Sequence, residues 1–80
     1  MLKAYSSEQV GQILLARRKE LRMTQADVAV RLGISQNRWS ELENRPAQLT
    51  LERLLALAGI LDLEWLVQER SETSIDTAEW

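Results

Sequence analysis

Between Thr24 and Asn44 two short helical patterns meet at a glycine, and no other part of the chain so restricts what it can become. Thr24 is a good N-cap, and Asp27, three positions on, carries a carboxylate that suits the positive end of a helix. Val28, Ala29 and Leu32 supply one buried stripe. Gly33 stops that helix by adopting a positive φ that side-chain-bearing residues resist. Ile34 plugs the turn, Ser35 caps a second helix, and Trp39 and Leu42 point inward from it. A bend of three or four residues suits two helices that cross steeply. The second helix opens on Gln36, Asn37 and Arg38, which are side chains able to read base edges.

Flanking patterns extend this into a mainly α fold of four to five helices. Ser6 and Gln9 have capping-box spacing, and Val10, Ile13, Leu14 and Leu21 follow at helical intervals. Asn44-Arg45-Pro46 ends the helix that carries Trp39. Thr50 caps a fourth, with Leu51, Leu54, Leu55 and Ala58 as its expected apolar face and Gly59 as its expected end. From Leu61 the period shortens to two, with Leu61, Leu63, Trp65 and Val67 alternating against Asp62, Glu64, Leu66 and Gln68. Two readings stay open: a short strand, or a fifth helix using Leu63, Leu66 and Val67. A lone strand leaves its backbone unsatisfied, so it must pair, either with Leu2–Tyr5 or across a homodimer through Leu63, Trp65 and Val67. Residues 1–68 are thus expected to form a DNA-binding and dimerisation domain. Residues 69–80 lack periodicity and read as a flexible acidic tail that ends in Trp80, an aromatic suited to a pocket on a partner.

Composition narrows the function. The 80 residues hold no cysteine and no histidine, so thiolate metal sites, disulfides and the commonest acid–base catalyst are excluded. There is no phosphate-cradling glycine loop, and no cofactor is expected. The chain reads as a non-enzyme. No window approaches eighteen apolar residues, so a cytoplasmic protein without membrane association is expected. The net charge of −2 hides a gradient: residues 1–60 carry nine Lys or Arg against six acids, and residues 61–80 carry Arg70 against six. The basic body suits phosphates, while the acidic end must face away from them.

In a helix-turn-helix the first helix crosses the DNA backbone and the second enters the major groove. Gln25 then sits beside a phosphate and fixes register. Ser35, Gln36, Asn37, Arg38, Ser40 and Glu41 face the groove, and Arg45 is a backbone contact. Arg38 has a competing reading as a phosphate contact.

The run Thr24-Gln25-x-x-Val28-Ala29-x-x-Leu32-Gly33-Ile34-Ser35-Gln36, followed by Trp39-x-x-Leu42-Glu43-Asn44, resembles the Cro/C1 (Xre-type) helix-turn-helix family. The resemblance implies a phosphate contact at Gln25, a base contact at Gln36 and an ion pair between Arg18 and Glu43. The chain departs from the family in having Arg45-Pro46 where a glycine often follows Glu-Asn, and Trp39 in place of a smaller aliphatic. Within the family the likeness extends to the HipB antitoxins, some of which end in Glu-Trp, as Glu79-Trp80 does here. That implies a dimeric repressor of a palindromic operator, autoregulating its operon and binding a HipA-type serine/threonine kinase toxin through Trp80. The alternative is a free-standing phage or restriction-modification repressor with no toxin partner.

Overall fold

The computed structural model describes residues 2–69. Their regular elements are α1 (Ser7–Glu20), α2 (Gln25–Leu32), α3 (Gln36–Asn44), a 3-10 turn (Pro46–Gln48) and α4 (Leu51–Leu61). Local chemistry sets most of the boundaries. Ser6 accepts from the Gln9 amide at 3.2 Å, while the Gln9 side chain returns to the Tyr5 amide at 2.6 Å, one residue earlier than a capping box requires. Thr24 and Asp27 form the reciprocal box, with Asp27 N–H donating to Thr24 Oγ1 at 3.0 Å and Thr24 N–H to Asp27 Oδ2 at 2.8 Å. The Ser35 and Thr50 hydroxyls accept from Arg38 and Arg53 amides, closing α3 and α4 in the same way. Gly33 sits at φ 79°, and the Ile34 amide returns to the Ala29 carbonyl at 3.0 Å, so the orphan carbonyls at the end of α2 are used.

Leu14 of α1, Val28 and Ala29 of α2, Trp39 and Leu42 of α3, and Leu57 and Leu61 of α4 form one core, each 2% exposed or less. Val10, Met23, Leu32, Ile34, Leu49, Leu54, Ile60, Leu63 and Trp65 pack around it. Trp39 fills the centre, as expected for a residue in line with Leu42. Its indole Nε1 is nonetheless buried without a hydrogen-bond partner. Burying that group costs stability, which the area of the ring offsets.

Three expectations are corrected. First, α4 does not end at Gly59. It continues to Leu61, and Asp62 turns out of it at φ 54° while the Leu63 amide closes on the Ala58 carbonyl at 2.8 Å. Burying Leu61 outweighs the cost of about 1 kcal/mol for a glycine within a helix. Second, the buried side of α4 is Leu54, Leu57 and Leu61, whereas Leu51 and Leu55 are 71% and 57% exposed. Third, among the described residues there is no strand, and 63–69 form neither strand nor fifth helix. Leu63 and Trp65 do turn inward, but Val67 is wholly exposed. Leu2–Tyr5, the other strand candidate, lines an open groove together with 63–69, Val10 and Ile13, and no backbone ladder joins the two segments. A period-two pattern specifies a face; only a partner edge makes it a strand.

The segment after α4 is anchored by side chains instead. Trp65 Nε1 donates to the Leu54 carbonyl at 2.6 Å. Arg17 of α1 donates to the carbonyls of Leu61 (2.8 Å) and Asp62 (3.4 Å), which places a cation at the negative end of α4. At the other side of the domain Pro46 packs so closely on α1 that a Cβ at Gly11 would lie 2.6 Å from the proline Cγ.

Candidate nucleic-acid interface

The α2–turn–α3 unit presents two polar surfaces with different properties. At the start of α3, Gln36 and Asn37 are exposed, Arg38 and Ser40 are half-buried, and Glu41 is exposed. Among the described residues no side-chain hydrogen bond or ion pair holds Gln36 or Asn37. Arg38 reaches Glu41 at 3.4 Å, one turn along, with side chains 43% and 64% exposed. An exposed pair of that kind contributes little and opens readily, so the guanidinium is available to a base or a phosphate. The Ser35 oxygen is used as a cap, which leaves its O–H to donate outward. Arg45, exposed just past α3, lies where the chain leaves that helix.

At the start of α2 the side chains are held. Arg18 of α1 and Glu43 of α3 form a two-pronged ion pair, Nε to Oε2 at 2.8 Å and Nη2 to Oε1 at 3.1 Å, with side chains only 12% and 6% exposed. The third prong, Arg18 Nη1, donates to the Met23 carbonyl at 2.9 Å, in the turn before α2. Gln25, first residue of α2, donates its Nε2 to Glu43 Oε1 at 2.9 Å. The pair therefore ties α1 to α3 and also to the α1–α2 turn and the α2 N-terminus. Asp27 faces the same end of α2. Its carboxyl is held below its ordinary value chiefly by the Thr24 backbone N–H, then by the Thr24 hydroxyl, with a smaller contribution from Arg31. It therefore stays charged beside the helix N-terminus.

The Gln25–Glu43 bond was not foreseen from sequence. The two residues are 18 positions apart, and no local spacing brings Glu43 to the start of α2. Of the expected dimer residues, Leu63 and Trp65 lie against the core of their own chain and Val67 is free on the surface. Trp80 lies outside the described residues. No group of residues able to hold a metal ion is present among those described, and no described helix is long and apolar enough to cross a membrane.

A helix-turn-helix family model matches residues 14–66, well over half of the chain. The chain belongs to the helix-turn-helix family. Among solved structures it is similar to the chain in a HipA–HipB–O2–O3 complex, with 27% identity and a TM-score of 0.78, covering 89% of this chain and all of that one. It is equally similar to a HipB–O4 20-mer complex (27%, TM-score 0.78, 89% and 100%). A HipB–O1–O2 complex matches at 28% with a TM-score of 0.76, over 86% of this chain and 100% of that one. A search of curated proteins finds no match. The protein is a HipB-like helix-turn-helix regulator, a binding domain and not an enzyme.

Proposed function

We propose that this HipB-like repressor binds a palindromic operator in its own control region as a homodimer and serves as antitoxin partner of a HipA-type kinase. The observation that carries the reading is the match over 89% of this chain, and all of the other, to a chain in a HipA–HipB–O2–O3 complex. The polar opening of α3 supports the DNA half: Gln36 and Asn37 stand free of the fold, and Arg38 is held only by an exposed pair. Two such helices in a dimer address half-sites about one DNA turn apart, roughly 34 Å. Gln36 or Asn37 on adenine, and Arg38 on guanine, each contribute about 1–3 kcal/mol of discrimination. Ser35, Ser40 and Glu41 line the same groove, while Gln25 and Arg45 contact phosphates.

In the dimer the segment Leu63–Val67 lies at the contact between the two chains. The acidic end faces away from DNA, where Trp80 enters a pocket on the kinase. One binding series tests both halves. The full chain, Arg38→Ala and a chain lacking Trp80 are titrated against the duplex upstream of its own gene, an unrelated duplex, and a purified HipA-type kinase. Arg38→Ala is expected to weaken the first duplex more than the second; equal weakening reassigns Arg38 to a phosphate. Loss of Trp80 is expected to reduce kinase binding alone. Kinase binding that survives its loss removes the tail from the reading, and no kinase binding by the full chain leaves a free-standing repressor.

A further inference from the structure

We infer that Glu43, although it touches no DNA itself, is a positioning residue for DNA binding: it fixes the Gln25 carboxamide so that its remaining N–H is set for a phosphate oxygen. This rests on the DNA-binding reading above. A carboxamide has one donating and one accepting end of nearly equal shape, and only the donor can engage an anion. Left free, Gln25 could present either end, in several rotamers, beside the α2 N-terminus. Glu43 removes that choice. An ionised carboxylate only accepts, so it selects Nε2, and the 2.9 Å bond uses one of the two amide hydrogens. The second hydrogen has no partner among the described residues.

The same carboxylate is locked from behind. Arg18 holds both its oxygens, at 2.8 and 3.1 Å, and is itself pinned to the Met23 carbonyl at 2.9 Å. With its side chain 6% exposed, Glu43 is a rigid and largely neutralised anchor. Its charge does not oppose the phosphate as a free carboxylate would. The ordering of Gln25 is thus completed on folding, so DNA binding does not have to supply it. A phosphate contact carries no sequence information, so Glu43 should set affinity without setting preference.

The test is a double-mutant cycle on the full chain using Gln25→Ala, Glu43→Gln and both together, with folding checked by circular dichroism. Affinity is read against the duplex upstream of its own gene and against an unrelated duplex. Gln25→Ala should weaken both by about tenfold. Glu43→Gln should weaken both by about two- to tenfold when Gln25 is present, and cause no further loss when it is not. Additive losses, or a loss confined to one duplex, overturn the proposal.

Because Glu43→Gln leaves Arg18 without a counter-charge and could unfold the domain, wild-type protein is also examined by side-chain amide NMR. One Gln25 Nε2 proton should exchange with water more slowly than those of exposed Gln36, and added duplex should shift mainly the other. Equal, fast exchange at both glutamines overturns the proposal without any variant. If neither duplex binds wild type at all, the DNA-binding reading fails, while slow exchange at Gln25 would still show that Glu43 orders it.

Discussion

Replacing Gly11 by alanine should destabilise the domain, although alanine is the better helix former. Gly11 lies within α1 and is buried, and an added Cβ would meet Pro46 Cγ at 2.6 Å and Cβ at 3.0 Å. A proline ring cannot swing aside as a long side chain can, so either the 3-10 turn or α1 must move. Overpacking of this kind costs about 1–3 kcal/mol. Gly→Ala within a helix returns about 1 kcal/mol. With contacts this short the upper part of the first range applies, and the net loss is about 1–2 kcal/mol. For a domain of this size each kcal/mol moves Tm by about 4–8 °C.

The decisive measurement is the sign of the same substitution in a second background. Pro46→Gly removes the ring and its Cβ, so Gly11→Ala there no longer meets those atoms and should stabilise by about 0.5–1 kcal/mol. Urea titrations of wild type, both single variants and the double variant give the coupling energy directly, provided protomer concentration is equal throughout. A coupling near 2 kcal/mol is expected. Gly11→Ala having the same sign and size in both backgrounds would refute the steric argument.

Other expectations are simpler to read. Trp39→Ala should cost about 3–5 kcal/mol, but Trp39→Phe under about 1.5 kcal/mol, because losing the unpartnered indole N–H offsets lost volume; equal costs in urea titrations would show that the N–H is not a liability. The Asp27 carboxyl titrates lower in the folded chain than in the unfolded one, so its contribution is fully present above the ordinary aspartate value of about 3.9 and is lost as pH falls below it. Asp27→Asn should therefore flatten the acid limb of stability against pH, and an unchanged limb would deny the capping box that role. Val67→Pro should leave the fold of one chain intact, since Val67 is wholly exposed, yet weaken dimerisation by removing an amide; sedimentation equilibrium showing an undiminished dimer would rule out pairing through that amide.

The features legible in sequence were those written in adjacent residues. Thr24, Gly33, Ser35 and Thr50 act on amides or backbone angles within a few positions, so their spacing alone marks where α2, α3 and α4 begin or turn. Trp39 and Leu42 were legible because polar neighbours surround them and leave one apolar side. The α4 sequence Leu-Leu-Ala-Leu-Ala is apolar all round, and which leucines go inside depends on what α2 and the core offer. Hence Leu51 and Leu55 were misread and Leu57 was passed over.

Pairings between distant residues were visible only through resemblance, as with Arg18 and Glu43, or not at all, as with Gly11 and Pro46 or Gln25 and Glu43. In sequence Pro46 stands only as a departure from the family, at a position near a frequent glycine. Its counterpart, the bare backbone at Gly11, is 35 positions away and has no local signature. The period-two pattern after Leu61 indicated which side chains turn inward as far as Trp65, but the hydrogen bonds of a strand are not a property of one segment.

The anchoring of that segment has a mechanical consequence. Its polar tethers run to the scaffold: Trp65 to the Leu54 carbonyl of α4, and the end of α4 to Arg17 of α1. None of these tethers grips α3. A load applied beyond Glu69, by a partner pulling on the chain, therefore meets α1 and α4 first and reaches α3 through the packed core and the Arg18–Glu43 pair. The anchors of the segment after α4 thus sit on α1 and α4, one step removed from the polar side chains that open α3.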